Sequence, residues 1–183
     1  AGLATNAMEV FSKLATGDHV LRLGDPSNWN GTDSVIADTA LPNIKTTAIN
    51  YQHQYDAREV TFLGTGPAQI YVQTVDQKGI DRTSYSNAES TLQFDVKMHE
   101  YPSKSVNLGA HCEYPCLSEV KLTSVMNSLP TESWKTIKVP LACFSGLDFT
   151  KINTPFLLYT EGTAHFDLGN IRWVPKSVDA AAD

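Results

Sequence analysis

The chain predicts an all-β fold, a sandwich of two antiparallel sheets, and three stretches near its C-terminus carry that expectation. In residues 134–144, Ile137, Val139 and Leu141 alternate with polar neighbours, as in a strand that buries one face. Residues 154–160 contain a continuous apolar run, Phe156 to Tyr159, suited to a more deeply buried strand. In residues 163–173, Phe166 and Leu168 keep one phase, and Ile171 and Trp173 keep the other. A period of two changes phase only when a residue is inserted, which places a β-bulge at Gly169-Asn170, where glycine makes unusual backbone angles cheap.

Length and composition fit a single β-sandwich. The chain has 183 residues, 42% of them apolar, enough for one core and short for two full domains. One domain is therefore expected over residues 1–183, with its ordered core between Met8 and Pro175. Net charge is −6 and no run of Lys or Arg occurs, so nucleic acid is a poor partner: phosphate binding needs a concentrated cationic face. No apolar stretch approaches a membrane span, and no signal peptide is visible. The chain begins at Ala1 without Met, as a processed or excised piece of a larger protein does.

Taken in order, residues 8–13 and 19–24 read as short strands joined by a turn at Thr16-Gly17-Asp18. The segment from Gly24 to Pro42 is rich in turn formers, has no clear period and contains Trp29. Strands are expected over 44–51 and 58–63, then a turn at Gly64 to Pro67 that lacks the Lys-Ser/Thr ending of a phosphate-binding loop. Further strands follow at 68–75, 91–98 and 106–111. Residues 123–129 suit one short helix, with Thr123 as N-cap and Pro130 as terminator. After Pro175 the sequence suggests a frayed tail. Trp134 and Trp173 are expected in the core.

Cys112 and Cys116 enclose only Glu-Tyr-Pro, a turn that can bring two sulfurs together. A disulfide closing so short a loop contributes about 2 kcal/mol and mainly fixes the turn. The alternative is three reduced thiols. The spacing is wider than a redox C-x-x-C, and no second pair completes a zinc site. Cys143 reads as a small buried hydrophobe. A disulfide points to an oxidising setting, secreted or periplasmic.

The strands at 68–75, 91–98 and 106–111 are the most informative about function. Ile70 and Val72 face one way; Leu92, Phe94, Val96 and Met98 do the same, as do Val106, Leu108 and Ala110. The opposite phase holds Gln69, Tyr71, Gln73, Asp95, Lys97, Asn107 and His111. Read as one sheet, these amide, carboxylate, ammonium, imidazole and phenol groups form a surface suited to sugars. Hydroxyls need partners that donate and accept, and C–H patches need an aromatic ring, here Tyr71, with Trp29 offered from its loop. A merely solvated outer sheet face has the same composition.

No catalytic site emerges. Acidic residues number 20, so some pair is always available for glycoside hydrolysis, and availability identifies none. There is no Gly-x-Ser-x-Gly elbow, and the histidines at 19, 53, 99, 111 and 165 form no H-x-x-x-H pair.

Several blocks together resemble a known family: Asp56-Ala57-Arg58 with the strand through Phe62 to Gly64, the Cys112-x-x-Pro-Cys116 turn, Trp134-x-x-Ile-x-Val-Pro-Leu-x-Cys-Phe144, Gly146-x-Asp148, Thr154-Pro-Phe156 and Phe166-x-Leu-x-Asn-Ile-Arg172. They are similar to the C-terminal galactose-binding-like β-sandwich of bacterial family 3 glycoside hydrolases, among them the extra domain of exo-1,3/1,4-β-glucanases. The resemblance implies a jelly roll and an accessory role beside catalytic domains that this chain lacks. It implies either weak binding of β-glucan or oligosaccharide, or a purely structural domain that packs on the catalytic domains and borders their substrate entrance through Trp29 or the loop from Gln52 to Asp56. No cofactor is required. Related jelly rolls hold a structural calcium near the N-terminal strand, which here implies Glu9 and Asp167 as its carboxylates. The family's Asp at the bulge is replaced by Gly169, and a hard cation with one carboxylate fewer is held more weakly.

Overall fold

The structure, a computed structural model, describes residues 2–11, 18–24 and 39–182; Trp29 and the turn at Thr16-Gly17 lie outside the described residues. The strands are β1 (Met8–Phe11), β2 (His19–Gly24), β3 (Thr39–Ala40), β4 (Ile44–Ile49), β5 (Ala57–Leu63), β6 (Ala68–Thr74), β7 (Thr91–Glu100), β8 (Val106–Cys112), β9 (Leu117–Lys121), β10 (Trp134–Pro140), β11 (Ile152–Thr160) and β12 (Thr163–Val174). Among the described residues three short helices accompany them: α1 (Thr83–Asn87), α2 (Thr123–Ser128) and α3 (Lys176–Ala182). None of the described helices is long and apolar enough to cross a membrane.

The strands form two antiparallel sheets. Sheet A has the order β10-β7-β12-β5-β4-β3, with β1 added to the end of β12; sheet B has the order β2-β6-β11-β8-β9. The two strands expected as neighbours at the N-terminus part company: β1 pairs with β12 in sheet A and β2 with β6 in sheet B. Between the sheets lie the inward phases read from the sequence. Leu92, Phe94, Val96 and Met98 of β7 are each 0% exposed, and Phe94 meets Phe156 of the facing sheet edge-on at 5.2 Å. Trp173 is buried among them and donates its indole Nε1–H to the Pro155 carbonyl, 3.1 Å away on the other sheet.

The bulge in β12 lies where the phase change requires it, with the register against β7 shifting between Gly169 and Arg172. The positive φ, 51°, falls on Asn170, a residue that tolerates it. Gly169 serves close approach instead: a Cβ there would lie 3.1 Å from Ala57 Cβ and 3.5 Å from the Tyr51 ring. Tyr51 lies over the sheet at this point and stacks on Trp134, with ring centroids 3.8 Å apart. Trp134 is therefore half-buried on the outer face of sheet A rather than in the core.

Other local expectations are corrected. Cys143 is exposed, because β10 ends at Pro140 and a 3₁₀ turn over Leu141–Cys143 buries Leu141 instead. Helix α2 forms as expected, yet Thr123 does not cap it. Its Oγ1 accepts the Val106 backbone N–H at 2.9 Å, and Leu122 occupies the cap without a side-chain bond. The tail is helical: α3 lies against sheet A, where Asp179 accepts from Lys138 Nζ (2.9 Å) and Gln93 Nε2 (3.1 Å). Helix α1 and strand β9 lie in segments whose period is too short to read.

Beside the bulge, buried Asp95 of β7 ties four segments together. Its carboxylate accepts from Thr136 Oγ1 (2.8 Å), Tyr51 Oη (2.9 Å), Arg172 Nη1 (3.2 Å) and Asn170 Nδ2 (3.4 Å). Burial and the carboxylate push the Tyr51 phenol up to about 12, burial being the larger cause, so it remains a donor. Removing the anion strands a largely buried guanidinium. Asp95→Ala is expected to destabilise the fold by about 3 kcal/mol, read as a lower urea midpoint at unchanged slope, whereas Lys135→Ala on the exposed edge shifts it by less than about 0.5 kcal/mol.

Candidate functional site

The outer face of sheet B carries a groove of about 950 Å³, lined by β6, β11, β8 and β9 and walled by the Gln77-Lys78 turn and the loop from Cys112 to Leu117. Strand alternation brings its floor together in rows. In one, Tyr159 stands opposite both Gln69 and Asn107. In the next, apolar Leu157 stands opposite Gly109 and Glu119 lies beyond it. Gln73 and His111 lie in the row beyond, so a polar row borders each side of an apolar strip limited to Leu157 and Gly109.

Each wall has a local cause. The Cys112–Cys116 disulfide closes a five-residue loop with Cα atoms 5.0 Å apart, and the Cys112 N–H donates to the Cys116 carbonyl at 3.1 Å. Glu113 holds this loop to the opposite wall by accepting the Gly79 N–H at 2.7 Å. At the loop's tip, Tyr114 is 95% exposed, a ring available for stacking on a sugar face. Pro155 lacks the N–H a central strand needs, and the register of β11 against β8 shifts between Thr154 and Leu157. The irregularity delivers Asn153 and Thr154 to the groove, where Asn153 Nδ2 donates to the Gln77 carbonyl at 3.2 Å.

Lys78, Glu113 and Glu119 carry charge at the groove, and its other polar groups are neutral donors and acceptors. Arg22 Nη1 donates to Gln73 Oε1 at 2.6 Å, which turns the amide nitrogen of Gln73 into the remaining donor. Buried Gln69 Nε2 has no hydrogen-bond partner among the described residues. Burial lowers the His111 pKa to about 4, so at neutral pH its ring offers one donor and one acceptor. Gly109 leaves room for that ring, since a Cβ there would lie 3.3 Å from His111 Nε2.

Of the residues expected on one polar surface, the structure gathers Gln69, Gln73, Asn107 and His111 here. Asp95 and Lys97 belong to β7, which joins sheet A, and face away from the groove on the opposite side of the sandwich. Asp95 is committed to the network beside the bulge. Tyr71 takes the outward phase of β6 but is fully buried and does not line the groove. Sequence reasoning missed Tyr159, Leu157, Asn153, Glu119 and Tyr114. The first two had a signal: within the apolar run of β11, positions 157 and 159 share the phase opposite to Phe156 and Leu158.

Glu9 and Asp167 do not meet. Glu9 is in register with Arg172, and Asp167 with Glu59 and Lys97, five residues back along β12 and so roughly 15 Å away. Asp167 Oδ1 lies 3.0 Å from His99 Nε2. The two carboxylates cannot share one calcium ion, because calcium binds oxygen at about 2.4 Å.

The fold and groove define a galactose-binding-like β-sandwich. Residues 20–173 match the Exop_C family, described as galactose-binding domain-like, and the chain belongs to that family. Solved structures agree. Over 94% of this chain, the exo-1,3/1,4-β-glucanase ExoP of a Pseudoalteromonas species superposes with a TM-score of 0.76 at 15% identity. The chain spans only 21% of that enzyme's length. The extra C-terminal domain of ExoP by itself gives a TM-score of 0.71 at 16% identity, covering 92% of both chains. The family 30 carbohydrate-binding module of a cellulosomal cellulase of Clostridium thermocellum gives 0.65 at 13% identity, over 94% of this chain and 99% of that one. A family 11 module from Clostridium thermocellum, in complex with a β-1,3-1,4-mixed-linked tetrasaccharide, gives 0.56 at 15% identity, over 94% of this chain and 97% of that one. The superpositions show a shared fold, and at identities this low they show the fold alone. No curated protein matches the chain.

The depressed pKa of His111 has a thermodynamic consequence. Between pH 6.5 and about 4 the unfolded chain binds a proton that folded His111 refuses, so its contribution is level above neutral pH and lost as pH falls through that window. His19, lowered to about 4 chiefly by burial and secondarily by Arg82, acts in the same direction. His111→Gln is expected to shrink the stability difference between pH 7 and pH 4 by about 3 kcal/mol, measured from urea midpoints, with the His19 share of the slope remaining. An unchanged difference would assign the acid sensitivity elsewhere.

Proposed function

We propose that this chain is a non-catalytic accessory module that binds β-glucan weakly through the groove of sheet B and serves beside the catalytic domains of a β-glucan-degrading exo-glucanase. The observation that carries the reading is the arrangement of the groove floor: a strip at Leu157 between rows of neutral hydrogen-bonding groups, Gln69, Tyr159 and Asn107 on one side and Gln73 and His111 on the other. A β-linked glucan presents the complementary pattern, with equatorial hydroxyls along its edges and C–H faces between. Tyr114 adds a ring at the rim. Kinship with the Exop_C family and likeness to a module seen with a mixed-linked tetrasaccharide support the same ligand class. The Cys112–Cys116 disulfide supports a secreted or periplasmic setting.

Titration calorimetry with 1,3-1,4-mixed-linked β-glucan oligosaccharides tests the proposal. Asn107→Ala and Tyr114→Ala are each expected to weaken binding about fivefold, the value of roughly 1 kcal/mol per lost hydrogen bond or stacking contact. Lys97→Ala, on the opposite sheet, is expected to leave it unchanged. Tyr114 is 95% exposed, so its truncation does not disturb the core. No heat at millimolar oligosaccharide would sink the binding role and leave a purely structural domain.

A further inference from the structure

We propose that the outer face of sheet A holds a zinc site built from Glu59, His99, His165 and Asp167, independent of the groove and of any glucan it binds. These side chains come from β5, β7 and β12, which are adjacent in the sheet. His165 Nε2 lies 2.6 Å from Glu59 Oε2, and His99 Nε2 lies 3.0 Å from Asp167 Oδ1. One ligand atom each from Glu59, His99 and His165 falls within 4.8 Å of the other two. A tetrahedral zinc with bonds near 2.0 Å spaces its ligand atoms about 3.3 Å apart, so Glu59, His99 and His165 need only small side-chain rotations to close on it, and Asp167 enters as the fourth ligand from its place beside His99 Nε2. The two imidazole rings, with centroids 4.6 Å apart, already face one region.

Glu132 is the observation that separates this cluster from a chance gathering of charges. His99 Nδ1 lies 2.8 Å from Glu132 Oε1, on the far side of the ring from Asp167. With the Nδ1 proton held by Glu132, Nε2 becomes a ligand once it releases the proton it shares with Asp167, and a carboxylate on the outer nitrogen is the arrangement that orients metal-bound histidines. Glu132 itself is positioned by a φ of 61° and by its N–H, which donates to the Met98 carbonyl at 2.8 Å. Two imidazoles with carboxylates select a borderline ion such as zinc over calcium or magnesium, which require oxygen ligands. Histidine side-chain exposures of 19% and 28% leave the site reachable from solvent. Bound there, zinc would cross-link the three adjacent strands β5, β12 and β7 of sheet A.

The test uses the whole chain, stripped with EDTA and titrated with zinc chloride alone. One equivalent should bind, with a thermal midpoint raised by about 5 °C or more at a hundredfold excess over Kd, while calcium and magnesium chloride give no shift. Cobalt(II) substitution should give the intense visible bands of a tetrahedral centre. His165→Gln should lower zinc affinity at least tenfold and remove those bands, and Glu132→Gln should lower affinity about tenfold by releasing His99. His53→Ala, outside the cluster, should change neither. Because Glu132 is exposed, its variant remains informative if a histidine variant folds poorly. Absence of zinc binding by the wild-type chain would overturn the proposal, as would full affinity in His165→Gln or an octahedral cobalt spectrum.

Discussion

Strand β12 changes phase midway, and most of sheet A depends on that change. Before Gly169 it pairs with β5 and β7; beyond the bulge it pairs with β1 and β7. Without the extra residue, either Phe166 and Leu168 or Ile171 and Trp173 would point to solvent. The bulge keeps both pairs inside and lets the indole of Trp173 reach the Pro155 carbonyl on the facing sheet. It also sets which polar groups gather outside: His165 and Asp167 meet Glu59 and His99 on one side of it, and Arg172 and Asn170 meet Asp95 on the other. Core packing and outer-face chemistry thus share one local cause.

Sheet B is organised by a different irregularity. Pro155 sits in its central strand, and the break in pairing with β8 turns Asn153 and Thr154 into the groove while Leu157 and Tyr159 resume regular register beside Gly109 and Asn107. The disulfide loop then stands at the end of β8 as a wall. A regular sheet would present a flat polar face; the proline and the short closed loop give this one a depression. The two outer faces end up chemically distinct, with amides, phenols and a neutral imidazole alongside Glu119 over sheet B, and carboxylates paired with cations or histidines over sheet A.

Much of this is legible in the sequence. The inward phases of β6, β7 and β8 can be read because a two-residue period is a local property, and the bulge follows from the same arithmetic. Helix α2 and the disulfide follow from residues a few positions apart. Trp134 defeats the same reading because a large aromatic defaults to the core, and only the close approach of Tyr51 over Gly169 creates an outer shelf for it. Cys143 defeats it because the alternation continues past Pro140 while the strand does not. The tail looks frayed because residues 176–182 have no strong apolar stripe, and α3 is held by the polar contacts of Asp179.

Alternation by itself determined which side chains turn inward and which outward, strand by strand. It did not determine which sheet each strand joins, because a sandwich has two outer faces and both obey the same period. Assigning β7 to sheet A and β6 and β8 to sheet B was a decision of tertiary packing, made by register and strand order over long separations in the chain. That decision divided one expected polar surface in two. It sent Asp95 and Lys97 to the face with His99 and Asp167, and kept Gln69, Gln73, Asn107 and His111 together as the floor of a groove.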